Sequence, residues 1–182
     1  MVIYLIYLKV HSCGGYTHAN WTKSGKNIKN VISYDFTSSY PFVMLTEKYP
    51  CSEFKKCNIK SISQILDCFC YIIKVTFFGI RCKYWNNFIS SSKCLYIKNG
   101  KYDNGRIISA DEIQIVLTDI DLKFIFDTHI VDKYEFNEVY WSRKDYLPIE
   151  LLEFILEKYE NKTKFKGVEG KEAEYALEKR EI

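Results

Sequence analysis

The stretch Tyr34-Asp35-Phe36-Thr37-Ser38-Ser39-Tyr40-Pro41 holds the densest set of groups able to do chemistry in this chain. A carboxylate at a strand's end can hold a divalent cation, the neighbouring backbone carbonyl can add a ligand, and an aromatic one turn into the following helix can floor a pocket. Asp35, Phe36 and Tyr40 stand at those three places. The same junction equally suits a carboxylate that only caps the helix, and spacing alone leaves both readings open. Far downstream, Lys171, Tyr175 and Lys179 fall at i, i+4 and i+8 and so share one helix face, beside a basic, glycine-containing stretch from Lys162 to Gly170.

Definite elements must carry these residues. Val2 to Val10 reads as a strand halted by the turn-forming pair Gly14-Gly15, and Asn30 to Asp35 as a second strand. Thr37 and Ser38 are N-cap candidates, Pro41 suits a first helical turn, and Phe42 to Leu45 supply apolar surface up to Pro50. A short helix is expected over Ser61 to Cys68. A strand follows from Tyr71 to Cys82, where Ile73, Val75 and Phe77 alternate with Lys74 and Thr76. Residues 83–110 read as hairpin-like loops with turns at Asn99-Gly100 and Asn104-Gly105. After a strand from Ile113 to Leu117, Thr118 caps a helix with Asp119 and Asp121 at its positive end and Leu122, Ile125 and Phe126 at helical spacing. Tyr134 to Trp141 is another strand. The last part reads as an αα-hairpin with a positive tip, one helix presenting Leu147, Leu151, Leu152, Ile155 and Tyr159, the other Ala173, Ala176 and Leu177.

Composition narrows the class. With 182 residues, 47% hydrophobic and 27% charged, the chain has the make-up of a globular domain or two small ones. Cys68 to Ile80 is the best apolar run, and Lys74 and Thr76 interrupt it, which argues against a membrane-spanning helix. Met1 to Val10 lacks a basic leader and a small-residue cleavage site, so a soluble, intracellular chain is expected. Seven cysteines without a CxxC pair point to reduced, buried thiols rather than disulfides or zinc. The formal charge of +3 is too small to imply nucleic-acid binding from bulk electrostatics, so the distribution of charge must carry it.

Four segments also resemble landmarks of one family. Asp35 to Pro41 resembles the DxxSLYP motif A of family B DNA polymerases, with Ser39 where Leu is usual. Gly14-Gly15-Tyr16-Thr17-His18-Ala19-Asn20 resembles the YxGG segment that precedes motif A in the protein-primed, phage-type branch, with Ser12 in place of its opening aromatic. Leu117-Thr118-Asp119-Ile120-Asp121-Leu122 is similar to the LTxxDL segment of that branch, and Tyr159-Glu160-Asn161-Lys162-Thr163-Lys164 to Lys179-Arg180-Glu181-Ile182 to its fingers helices leading up to motif B. The four occur in the family's order.

The resemblance implies an α+β chain in three parts. These are a partial palm with the motif A strand-helix unit over 1–46, a mixed α/β insertion domain resembling the first terminal-protein region over 47–146, and a helical-hairpin fingers segment over 147–182. It implies a DNA-directed DNA polymerase for phage or plasmid replication in the cytoplasm of a bacterial host, transferring nucleotidyl groups from dNTPs by a two-metal mechanism in the full-length enzyme. The implied catalytic residues are Asp35, Tyr40 and Lys179. Asp35 and the Phe36 carbonyl would bind metal, Mg2+ or Mn2+, two ions in the full-length enzyme. Tyr40 would pack under the incoming sugar and exclude a ribose 2'-hydroxyl, and Ser38 would assist around the triphosphate. Lys179 would neutralise phosphate charge, with Lys171 and Lys162 or Lys164 as further nucleotide contacts, and Gly14 and Gly15 would let the backbone approach template DNA.

The implied partners are template-primer DNA, a dNTP and a terminal-protein primer, with no membrane. Asp119-Ile120-Asp121 imitates the D-x-D spacing of motif C but stands at a helix start and reads as capping. The YxDTDS hairpin of motif C is absent from these residues, and Ile182 stands where the motif B asparagine would follow. The expectation is therefore a piece of a polymerase, inactive alone; the alternative is a non-catalytic module that binds DNA or a terminal protein.

Overall fold

The computed structural model describes residues 23, 25–34, 39–84 and 87–181. The chain divides into two compact units. One comprises residues 1–25 and 53–143, the other residues 26–52 and 144–182.

The first unit is an antiparallel sheet with one helix. Its strands are β2 (Lys55–Cys57), β3 (Phe69–Cys82), β4 (Cys94–Lys98), β5 (Lys101–Asp103), β6 (Arg106–Thr118), β7 (His129–Ile130) and the greater part of β8 (Lys133–Asp145). Their order is β8-β3-β6-β4; β2 pairs with β8, β5 with β6 and β7 with β3. β3 is central, which explains why its sequence is an almost unbroken apolar run: a strand flanked on both sides and covered on both faces has few exposed positions. Tyr71, Ile73, Val75 and Phe77 point into a core shared with Ile113, Ile115 and Leu117 of β6. On the other face Thr76 donates to Asn137 Oδ1 at 2.8 Å and Gln114 Nε2 donates to both, so the polar groups of three strands satisfy one another. Asn137 reaches Thr76 because the register shifts by one residue between Lys74 and Val75.

Helix α2 (Asp119–Thr128) closes the core with Leu122 and Ile125. The expected cap is present: Thr118 Oγ1 accepts from the Asp121 N–H at 3.1 Å, and Asp121 Oδ2 accepts from the Thr118 N–H at 3.3 Å. Asp119, instead of merely decorating the helix end, is buried and accepts the Tyr71 N–H of β3 at 2.9 Å. At the other end Lys83 Nζ donates to the Phe126 and Asp127 carbonyls at 2.8 and 3.0 Å, satisfying groups that a helix C-terminus leaves open.

His129 follows α2 and is 2% exposed, its Nε2 3.4 Å from Cys82 Sγ and its Nδ1 2.9 Å from Thr128 Oγ1. Burial, helped by the nearby Lys83 charge, pushes its pKa below the ordinary value. The folded protein thus keeps this ring neutral while the unfolded chain protonates it, and the state binding more protons gains as pH falls. Stability is expected to be level above about pH 7 and to decline below about pH 6.5, by at most ~1.4 kcal/mol per pH unit for one group. Thermal melts across pH 5 to 7.5, with His129→Gln as the flattened control, check this; equal slopes in the two proteins would refute it.

Gly79 bends β3 where its partner changes from β8 to β7. Its φ is +61°, and a Cβ there would strike the carboxylate of Asp132, which is held by Arg81 at 3.0 Å. Gly79→Ala is expected to cost about 1–3 kcal/mol. Gly105→Ala, at φ +74° but with open space around the new carbon, should cost only about 1 kcal/mol. Denaturant midpoints of the two variants test the difference.

The second unit holds α1 (Ser39–Thr46), β1 (Tyr49–Pro50), α3 (Ile149–Phe165) and α4 (Glu172–Glu181). β1 pairs with Asp145 and Lys144 at the end of β8. α1 packs on α3, and α3 on α4.

Four expectations change. Residues 31–34 form no strand; Val31, Ile32 and Tyr34 are exposed, and among the described residues no strand lies alongside to pair with them. The helix expected over Ser61 to Cys68 is a single 3-10 turn, Ile62–Gln64, opened by a capping box between Ser61 and Gln64 and ended where Ile65 turns extended. Ala173, Ala176 and Leu177 face solvent, because α4 turns Glu174, Tyr175 and Glu178 inward instead. Of the six described cysteines, none in a disulfide, Cys51 and Cys68 are exposed and the other four half-buried, where buried thiols were expected. The expected strand Val2 to Val10 lies outside the described residues.

Candidate functional site

The second unit gathers residues that lie more than a hundred positions apart in sequence. Tyr40 is in the first turn of α1, 78% exposed, while Pro41 beside it is buried. This is the arrangement a proline near a helix start favours: its ring packs and its missing N–H costs nothing there. The helix ends with Thr46 Oγ1 donating to the Phe42 carbonyl at 2.9 Å. Asp35, Phe36, Thr37 and Ser38 lie outside the described residues, as do Gly14 and Gly15.

The lysines expected to meet phosphate are on the α3–α4 hairpin, and their surroundings differ. Lys158 of α3 and Glu178 of α4 pair at 3.3 Å with both side chains largely buried, which fixes the two helices against each other. Lys171 stands just before α4 and pairs with Glu174 at 2.6 Å; its ammonium also lies 5.8 Å from the Phe165 ring centroid. That lysine holds the Glu174 carboxyl below its ordinary pKa. Lys162, half-buried, sits 4.9 Å over the Tyr159 ring. Lys179 is exposed in the last turn of α4, next to Arg180, and makes no ion pair among the described residues.

Sequence reasoning singled out Lys162, Lys171 and Lys179 but not Lys158, Glu174 and Glu178, whose pairing decides which of the hairpin's lysines remain open. The i, i+3 spacing of Lys171 and Glu174 is a signal that could have been read; the Lys158–Glu178 pair joins two helices and has no sequence signature. Among the described residues no group of three or more His, Cys, Asp or Glu side chains could hold a metal ion. Asp121, one of the two carboxylates that imitate motif C, is engaged in its capping box, and Asp119 by the β3 backbone. Among the described residues no helix is long and apolar enough to cross a membrane.

In sequence, the sheet unit lies between the two segments of a helical unit that carries the exposed Tyr40 and Lys179. The family model for DNA polymerase type B, organellar and viral, matches residues 7–166, and the chain belongs to that family. Among solved structures, phi29 DNA polymerase complexed with primer-template DNA and incoming nucleotide substrates is similar with a TM-score of 0.70 and 17% identity, over 94% of this chain and 28% of that one. An orthorhombic crystal form of phi29 DNA polymerase gives 0.54 at 16% identity over 77% and 23% of the two chains. Its post-translocation binary complex with primer-template DNA gives 0.52 at 16% identity over 76% and 22%. At such identities the likeness is one of fold. The chain spans about a quarter of the length of the polymerase it resembles. No curated protein matches it.

Proposed function

We propose that this chain is the part of a protein-primed family B DNA polymerase that receives the incoming nucleotide. In this reading residues 1–46 belong to the palm, 47–146 to an insertion that grips a terminal protein and upstream duplex, and 147–182 to the fingers, acting in the cytoplasm of a phage's or plasmid's bacterial host. The observation that supports it most is the second unit itself: α1 with exposed Tyr40 packs on the hairpin that bears Lys179, although about a hundred residues of sheet separate them in sequence.

Each residue then has a role. Tyr40 lies under the sugar and excludes a 2'-hydroxyl; Lys179 offsets triphosphate charge, as a positioned cation does where charge accumulates. Lys171 must leave Glu174 to do the same, and Lys162 must leave the Tyr159 face. Ser38 assists at the triphosphate, and Gly14 and Gly15 approach template DNA. Asp35 and the Phe36 carbonyl would hold a divalent cation, Mg2+ or Mn2+, which when bound supplies Lewis-acid stabilisation of phosphoryl oxygens.

The test is Mg2+-dependent binding of a fluorescent dNTP to the chain. Binding lost in Asp35→Ala supports the reading, and binding indifferent to that change refutes it. Primer extension by the 182 residues alone is expected to be undetectable, because one carboxylate cannot hold two metal ions; measured extension would overturn that expectation. A second reading, a non-catalytic module that binds DNA or a terminal protein, is favoured by the self-contained core of the sheet unit. It expects binding carried by residues 47–146 and indifferent to Asp35→Ala.

A further inference from the structure

The turn of the α3–α4 hairpin carries more positive charge than the nucleotide reading uses. Residues 161–171 contain Lys162, Lys164, Lys166 and Lys171 against one acidic residue, Glu169. Two of the four are occupied: Lys171 by Glu174 at 2.6 Å, Lys162 by the Tyr159 ring at 4.9 Å. The acidic residues that open α4 are engaged locally, Glu174 with Lys171 and Glu172 Oε1 accepting the Gly170 N–H at 3.3 Å. Lys164 and Lys166 are exposed and make no ion pair among the described residues.

The C-terminus of α3 accounts for lysines at these positions in general, since cations offset the negative end of a helix. It does not account for two of them standing open while their neighbours are paired. Between them and Lys171 the chain turns through Gly167 at φ +74° and Gly170 at φ +77°, presenting Val168, 46% exposed, beside the charges. Unpaired ammonium groups spaced along a turn, with an apolar side chain next to them, suit a repeating chain of phosphates with bases attached better than one compact triphosphate.

We propose that Lys164 and Lys166 form a contact for the phosphodiester backbone of a nucleic-acid strand, separate from Lys179. This contact rests on the polymerase reading but can fail independently of it. The experiment measures fluorescence anisotropy of the full chain with three probes, a labelled single strand of about twenty nucleotides, its duplex, and a fluorescent dNTP, over a range of salt. The proteins are the wild type, Lys164→Gln/Lys166→Gln and Lys164→Arg/Lys166→Arg, with circular dichroism confirming equal folding.

The glutamine pair is expected to weaken strand binding about tenfold at low salt. It should also lower the salt slope by about 1.4 for a single strand or 1.8 for a duplex, weaken dNTP binding by much less than strand binding, and recover in the arginine pair. Whichever nucleic acid binds more tightly in the wild type identifies the strand's source. Unchanged strand affinity and slope would overturn the contact even with Mg2+-dependent dNTP binding intact. So would a loss confined to dNTP, or a wild type that binds neither nucleic acid.

Discussion

Phe77→Ala is expected to lower the stability of the sheet unit by about 3–5 kcal/mol, the range for deleting a fully buried aromatic ring. The ring is 0% exposed. Its residue lies between Ile113 of β6 and Tyr134 of β8 in the ladder, and it meets Phe126 of α2 edge-to-face at 5.9 Å. Phe126 in turn contacts Tyr134 at 5.3 Å, so the cavity would open beneath a chain of rings that each depend on the next. Collapse into that space is hard, because at Phe77 the strands on both sides are paired with β3. A thermal midpoint lowered by roughly 10 °C is the expected readout. Phe77→Leu, which keeps much of the volume, should cost less than half as much. A loss under about 1 kcal/mol in the alanine variant would mean that the core is not packed as described.

The second large effect is functional. Lys179→Ala is expected to weaken dNTP binding about 10- to 100-fold, the range for a charge-assisted contact of roughly 1.5–3 kcal/mol. Lys171→Ala should weaken it by less, because that ammonium already has a carboxylate at 2.6 Å and must give it up before it can meet a phosphate. Removing Glu174 should therefore move Lys171 the other way, with Glu174→Gln tightening nucleotide binding modestly. Titration of a fluorescent dNTP against the four proteins decides the order. If Lys171→Ala were the more damaging change, the nucleotide would lie nearer the hairpin turn than proposed, and Lys179 would be a solvated helix charge.

Much of this chain can be read locally. β3 announces itself by a long apolar run, and α2 by Thr118 and Asp121 at capping distance. The turn at Asn104-Gly105 follows from two residues that accept positive φ, +45° and +74°. The order of motif-like segments pointed to the polymerase family that the match over residues 7–166 establishes.

Other features depend on partners far away in sequence. A strand needs a neighbour, so the β-branched run at Val31 and Ile32 forms no strand and is exposed where none of the described strands lies beside it. A short helix buries whichever face its neighbour covers, so α4 turns Glu178 toward Lys158 and leaves Leu177 in solvent, against its own pattern. The Lys158–Glu178 pair likewise joins two helices, whereas Lys171 is taken by Glu174 three residues on. The sequence by itself determined the family, the main strands and the residue types available for chemistry, because capping, turn formation and hydrophobic runs are short-range effects. Only the tertiary structure decided that residues 26–52 and 144–182 form one unit and that, of the hairpin's lysines, Lys164, Lys166 and Lys179 make no ion pair among the described residues, because ion pairing and burial depend on distance in space.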